Sequence, residues 1–170
     1  VLSYPQMELV IQPIILPETA TYLITGGAGG VGKAFAFHFA KRLQNKKCNL
    51  VLCGRSDKGN KQQQIIDQLE SLGANAIYLS TDISLLSEVE PLINHIHSRF
   101  GPITGIVHAA GLVEDQLLMN KTEDSLRRVL AVKIYGALNL DTVLADVQLA
   151  FFLCCSSLSP VIGNIGQTDY

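Results

Sequence analysis

Two patterns of apolar residues alternate along the chain. Short continuous runs at Thr21–Thr25, Asn49–Cys53, Ala76–Leu79, Ile103–His108 and Leu149–Cys155 read as strands covered on both faces. The stretches between them have apolar residues every three or four positions, the period of a helix with one buried face. Gly30–Leu43 is the first such stretch, with Ala34, Phe35, His38 and Phe39 expected on its inner face. Gln62–Leu72 is the second, with Ile65, Ile66, Leu69 and Leu72 in its stripe and Gly73 as its stop. Leu85–Phe100 carries Leu85, Val89, Leu92, Ile93, Ile96 and Phe100, and Thr122–Leu144 is a long fourth helix. Asp57–Gln64 is polar throughout and is expected as a mobile loop. Strand–helix alternation predicts an α/β fold, a doubly wound parallel Rossmann-type sheet. The expected order is 3-2-1-4-5 for the part present, with later strands and a lid missing.

Before Thr21 the regular pattern breaks. Pro5, Pro13 and Pro17 punctuate two apolar runs, Leu9–Ile11 and Ile14–Ile15. Residues 1–20 are expected as a linker or the tail of a preceding subdomain, and residues 21–170 as a domain incomplete at its C-terminus.

Composition narrows the classes. The 170 residues are 48% hydrophobic and 16% charged, ordinary for one globular α/β unit. A formal charge of −2, with no basic cluster interleaved with aromatics, argues against a nucleic-acid surface. Lys41, Arg42, Lys46 and Lys47 fall where the first helix should end, where cations suit its dipole. No apolar run reaches the ~18 residues of a membrane span, and no charged segment leads into a long apolar one at the start. A cytoplasmic setting is the expectation. Cys48, Cys53, Cys154 and Cys155 have no C-x-x-C spacing, so buried reduced thiols are expected rather than a metal site or disulfides.

The first strand closes on Thr25-Gly26-Gly27-Ala28-Gly29-Gly30-Val31-Gly32. Glycines in a turn between strand and helix let a pyrophosphate lie against the backbone at the helix N-terminus. A dinucleotide is therefore expected there. At the end of the second strand stands Arg55, followed by Ser56, where an NAD site usually has an acid. A guanidinium fork suits a 2′-phosphate, so NADPH is expected over NADH. Asp82 and Ile83 follow the third strand, and Asp82 is expected to accept from the adenine amino group, a turn or N-cap acid being its other reading. Ala109, Ala110 and Gly111 follow the fourth strand and leave room for the cofactor ribose. His108 beside them is expected to pack rather than to react.

Three further polar residues keep fixed distances. Ser157 lies 24 positions after Lys133, and Tyr170 lies 13 after Ser157. Hydride reduction of a ketone leaves charge on oxygen, so it needs an aimed donor and a proton. A serine can hold the carbonyl. A tyrosine can give the proton if a lysine lowers its pKa, and that lysine can also grip the nicotinamide ribose. Lys133, Ser157 and Tyr170 are the right types.

Four stretches together carry a resemblance: Tyr22–Gly32, Gly105–Gly111, Val132–Leu140 and Ser156–Tyr170. Across about residues 20–170 the chain resembles the short-chain dehydrogenase/reductase superfamily, and within it the ketoreductase domains of modular polyketide synthases and animal-type fatty acid synthases. In those domains the lysine sits on the long helix and an asparagine follows the tyrosine, the reverse of ordinary short-chain dehydrogenases. Lys133 matches the first half of that swap, and the second half lies beyond Tyr170. The resemblance implies NADPH-dependent reduction of a β-ketoacyl thioester carried by an acyl carrier protein on phosphopantetheine, with other domains of the same synthase as neighbours. It also implies B-type stereochemistry and a D-hydroxy product. Val113-Glu114-Asp115 stands where B-type domains carry Leu-Asp-Asp, with Asp115 retained as the residue expected to act in stereocontrol. Ile162 stands where A-type domains carry a tryptophan. Two alternatives remain open: a free-standing short-chain dehydrogenase acting on a small alcohol or ketone, and a nucleotide-binding fragment without turnover. In a bare fragment, Tyr170 is expected to be disordered or misplaced.

Overall fold

The computed structural model describes residues 17–44 and 46–170. The runs Leu9–Ile11 and Ile14–Ile15 lie outside the described residues. Five strands form one parallel sheet in the order β3-β2-β1-β4-β5. They are β1 (Thr19–Thr25), β2 (Lys47–Gly54), β3 (Asn75–Ser80), β4 (Gly105–His108) and β5 (Phe151–Cys154). The helices between them are α1 (Gly30–Arg42), α2 (Asn60–Ser71), α3 (Leu86–Phe100) and α4 (Glu123–Val143). A 3₁₀ turn at Leu118–Asn120 and a one-turn helix α5 (Ser159–Ile162) complete the set.

The side-chain alternation of β1 divides the core. Tyr22 and Ile24 face α1 and α2, where Ala36, Ala40, Ile65, Ile66 and Leu69 pack with Leu50 and Leu52. Leu23 faces the other way, into Val89, Leu92, Ile93 and Ile96 of α3 and Val132 and Leu140 of α4. A sheet covered on both sides explains why its strands read as unbroken apolar runs.

Four expectations need correction. On α1 the buried residues are Gly32, Ala36 and Ala40, while Ala34 and His38 are exposed. Small residues four apart bring the helix axis close to the sheet, and the half-buried Phe35 and Phe39 flank that contact. Phe39 stacks on Tyr22 at 4.6 Å. Leu85 is not in the α3 stripe: it is the extended N-cap, 49% exposed. Asp57–Gln64 is not one loop. Helix α2 begins at Asn60, and Gln62 Oε1 accepts from the Gly59 N–H at 3.2 Å, satisfying an otherwise orphaned donor. Cys48 and Cys53 are buried as expected, but Cys154 is exposed and Cys155 half-buried. Strand β5 is one of the two outer strands among the described residues, and none of its four residues is fully buried.

Candidate functional site

The crevice begins where β1 ends. Gly26 has φ +64, a region that favours glycine, and a methyl there would lie 2.8 Å from the Ala109 carbonyl oxygen. A methyl on Gly27 would strike Leu52 at 2.6 Å, and one on Gly32 would meet the Gly26 oxygen at 2.4 Å. Gly26 and Gly32 let backbone pack on backbone, and Gly27 lets it pack on the Leu52 side chain. Gly29 donates to the Gly26 oxygen at 2.8 Å and closes the turn. A methyl on Gly30 would meet nothing within 4 Å beyond its own helix and chain neighbours, and Val31 beside it is 54% exposed. The N-terminus of the 13-residue α1 therefore stands open above the turn. Such a cradle, which any side chain would fill, fits a pyrophosphate.

The ends of β1 and β4 are joined by Thr25. Its hydroxyl lies 2.8 Å from His108 Nδ1 and accepts from the Ala110 N–H at 3.2 Å. His108 is buried. Burial, with the charge of Lys133 adding to it, holds the imidazole below its ordinary pKa.

Beyond Thr25 a cavity of about 190 Å³ brings Thr25, Gly26, Arg55, Ser56, Asp82, Ile83, Ala110 and Gly111 together. An adjoining opening of about 270 Å³ is lined by Gly29, Ala109, Arg55 and Ser56, and also by Lys61 and Tyr78. The Tyr78 hydroxyl donates to the Ser56 carbonyl at 2.9 Å and holds the strap after β2 in place. Lys61 and Tyr78 carried no signal in the sequence, because a helix start and a strand residue meet here only through the fold. Asp82 also makes a turn contact: its Oδ1 accepts from the Ser84 N–H at 3.0 Å and from the Ser84 hydroxyl at 2.7 Å.

Lys133, Ser157 and Tyr170 all line a third cavity, of about 310 Å³, with His108 and Asp169 also in its wall. Lys133 projects from α4 and donates to the Cys155 carbonyl at 2.8 Å. The Ser157 hydroxyl follows β5. It donates to the Ser159 hydroxyl at 2.9 Å and accepts from the Ser159 N–H at 3.0 Å. Tyr170 is half-buried, and its phenol donates to the Leu112 carbonyl at 3.2 Å. A methyl placed on Gly111 would stand 3.4 Å from Lys133 Nζ and 3.8 Å from Tyr170 Oη. The ammonium and the phenol thus flank Gly111, which also lines the two crevice cavities. One expectation is reversed here. The phenol is pushed above its ordinary pKa, by burial first and then by the charges of Asp115 and Asp169.

Polar contacts tie the loop after β4 to the segment before Tyr170. Gln116 N–H donates to the Gly166 oxygen at 2.9 Å, and Gln167 Nε2 donates to Asp115 Oδ2 at 3.1 Å. Gln167 Oε1 in turn accepts from the Ser159 hydroxyl at 2.8 Å. Lys121 pairs with Asp169. Val113 and Ile162 are exposed, at 61% and 75%. Glu114 is held by Arg128 through two bonds of 2.9 and 2.8 Å, which keep its carboxyl near pKa 2.

The sheet order and the glycine turn define a Rossmann-type dinucleotide-binding fold. A short-chain dehydrogenase/reductase from Burkholderia phymatum in complex with NAD, 22% identical, superposes with a TM-score of 0.77 over 89% of this chain. The chain belongs to the KR domain family, whose model matches residues 20–170. It is 41% identical over 153 residues to the polyketide synthase PksN of Bacillus subtilis (strain 168), covering 90% of this chain and 3% of PksN. It is 32% identical over its whole length to the hybrid PKS-NRPS synthetase iccA of Talaromyces variabilis, covering 4% of that protein. A crystal structure of an N-terminal ketoreductase from the macrolactin assembly line, 41% identical, superposes with a TM-score of 0.85 over 95% of this chain and 33% of that one. The chain thus spans a small part of the curated relatives it matches. Among the described residues no helix is long and apolar enough to cross a membrane.

Proposed function

We propose that the chain forms the cofactor crevice and the reacting trio of an NADPH-dependent β-ketoacyl reductase. The substrate is a β-ketoacyl thioester on the phosphopantetheine arm of an acyl carrier protein, and neighbouring domains of the same synthase in the cytoplasm deliver and take the chain. Residues 21–170 are read as this catalytic domain, with Thr19 and Ala20 opening its first strand, and the residues before them as a linker or the tail of a preceding subdomain. The observation that carries the reading is the gathering of Lys133, Ser157 and Tyr170 around one cavity beside Gly111.

Bound NADPH would supply the hydride. Thr25, Gly26, Gly27, Gly29, Gly30, Val31 and Gly32 would hold its pyrophosphate, with Arg55 and Ser56 on the 2′-phosphate, Asp82 and Ile83 at the adenine, and Ala109, Ala110 and Gly111 beneath the ribose. Ser157 holds the substrate carbonyl, and Tyr170 gives its proton to the oxygen as charge builds there. A phenol held above its ordinary pKa keeps that proton at neutral pH, which suits reduction, and an alkoxide is basic enough to take it. Lys133 Nζ, which donates to the Cys155 carbonyl and flanks Gly111 together with the phenol, would hold the nicotinamide ribose. Asp115, joined to Gln167 three residues before Tyr170, supports the B-type, D-hydroxy reading.

The test is to give the intact polypeptide a β-ketoacyl thioester with NADPH or NADH and separate the products by chiral chromatography. The D-β-hydroxyacyl thioester with NADPH preferred is expected. No reduction with either cofactor contradicts the reading, and an L product contradicts its stereochemical part alone.

A further inference from the structure

A charged pair beside the trio takes no part in the chemistry described above. Lys121 lies just before α4, and Asp169 immediately precedes Tyr170. Their side chains are only 4% and 1% exposed, yet they form an ion pair. Lys121 Nζ also donates to the Glu114 carbonyl at 2.5 Å. One ammonium therefore ties the loop after β4 to the segment that ends on the phenol. A charge this deep is retained only with a partner, because a lone one would be expelled or neutralised. Asp169 also lines the same cavity as Tyr170.

We propose that the Lys121–Asp169 pair is the clamp that seats Tyr170, holding its segment against the cavity and offsetting part of the charge of the carboxylate beside the phenol. Lys121 and Asp169 are positioning residues. The inference rests on the reading of Tyr170 as proton donor. The other titratable groups around that phenol are Asp115 from the β4 loop, Lys133 from α4, His108 from β4, and Cys154 and Cys155 at the end of β5. Asp115 and Asp169 are the two whose charges raise the phenol, and only Asp169 is paired with Lys121.

The opposite charges of the pair give the test its sign. Reduction needs the protonated phenol, so the rate falls as pH rises through the phenol's pKa. In the intact polypeptide, Lys121→Met leaves Asp169 uncompensated and should move that alkaline limb up by about one pH unit. Asp169→Asn should move it down. Lys121→Met should also lower kcat by about 10-fold to 100-fold, with KM for NADPH changed less than about twofold, because the phenol is displaced and the cofactor crevice is not. The double variant should regain part of kcat and bring the limb back toward the parent. Lys121→Arg, which keeps the charge, should stay close to the parent. If Lys121→Met does not fold, the downward limb of Asp169→Asn and the rescue by Lys121→Arg carry the test. Limbs that stay put or move the same way in both single variants overturn the clamp, provided Tyr170→Phe is inactive. An active Tyr170→Phe overturns the reading of Tyr170 itself.

Discussion

Arg55 illustrates how much one exposed side chain can decide. It lines both openings of the crevice at the end of β2 and makes no ion pair among the described residues. A guanidinium there suits a phosphate, and nothing in the surrounding contacts needs it for folding. Arg55→Ala should raise KM for NADPH by about 10-fold or more, with kcat and KM for NADH nearly unchanged, as steady-state kinetics with both cofactors will measure. Equal effects on both cofactors would remove the 2′-phosphate role. The place of Arg55 at the crevice was legible in the sequence, because the end of β2 borders it. So was the meeting of Lys133, Ser157 and Tyr170 at one cavity. Lys121 and Asp169 were not. Their contact joins two irregular loops, and such contacts leave no period in the sequence. The raised pKa of Tyr170 was also hidden, since it depends on burial and on carboxylates brought close by folding.

At the scale of elements, the strands were the most legible part, because both faces of the sheet are covered and the apolar runs are continuous. Helix faces were less so. The aromatic period on α1 pointed to Ala34 and His38, whereas close approach to the sheet selects Gly32, Ala36 and Ala40. That closeness places the open α1 terminus over the crevice. A methyl on Gly32 would meet the Gly26 oxygen at 2.4 Å and the Gly27 Cα at 2.8 Å, all of it backbone. Gly32→Ala should therefore cost about 1–3 kcal/mol in a urea titration. It should weaken NADPH binding, measured by cofactor fluorescence, more than that stability loss alone explains. Full binding in this variant would mean that the turn is not the pyrophosphate cradle.

For the whole molecule, buried titratable groups set the pH range in which the fold is firm. Neutral His108 is held below its usual 6.5, so the unfolded chain takes up its proton at a higher pH than the folded one. The stability it contributes is present above about pH 6.5 and is lost as pH falls through the folded value. On the alkaline side, burial raises Cys48 from 9.0 to about 11 and Cys53 to about 12, and Tyr22 from 10.0 to about 12. Above pH 9 the unfolded thiols ionise while the folded ones do not, which costs up to about 1.4 kcal/mol per pH unit for each. Denaturant titrations across pH should therefore give a plateau between roughly pH 7 and 9 with a fall on both sides, and a stability that kept rising past pH 10 would contradict this. Proton delivery by the phenol of Tyr170, at a cavity shared with Lys133 and Ser157, underlies the proposed reaction. Its most direct measurement is the single-turnover rate of β-ketoacyl thioester reduction by Tyr170→Phe in the intact polypeptide saturated with NADPH. A loss of about 10²-fold or more with NADPH affinity retained is predicted, and a rate equal to that of the parent would contradict it.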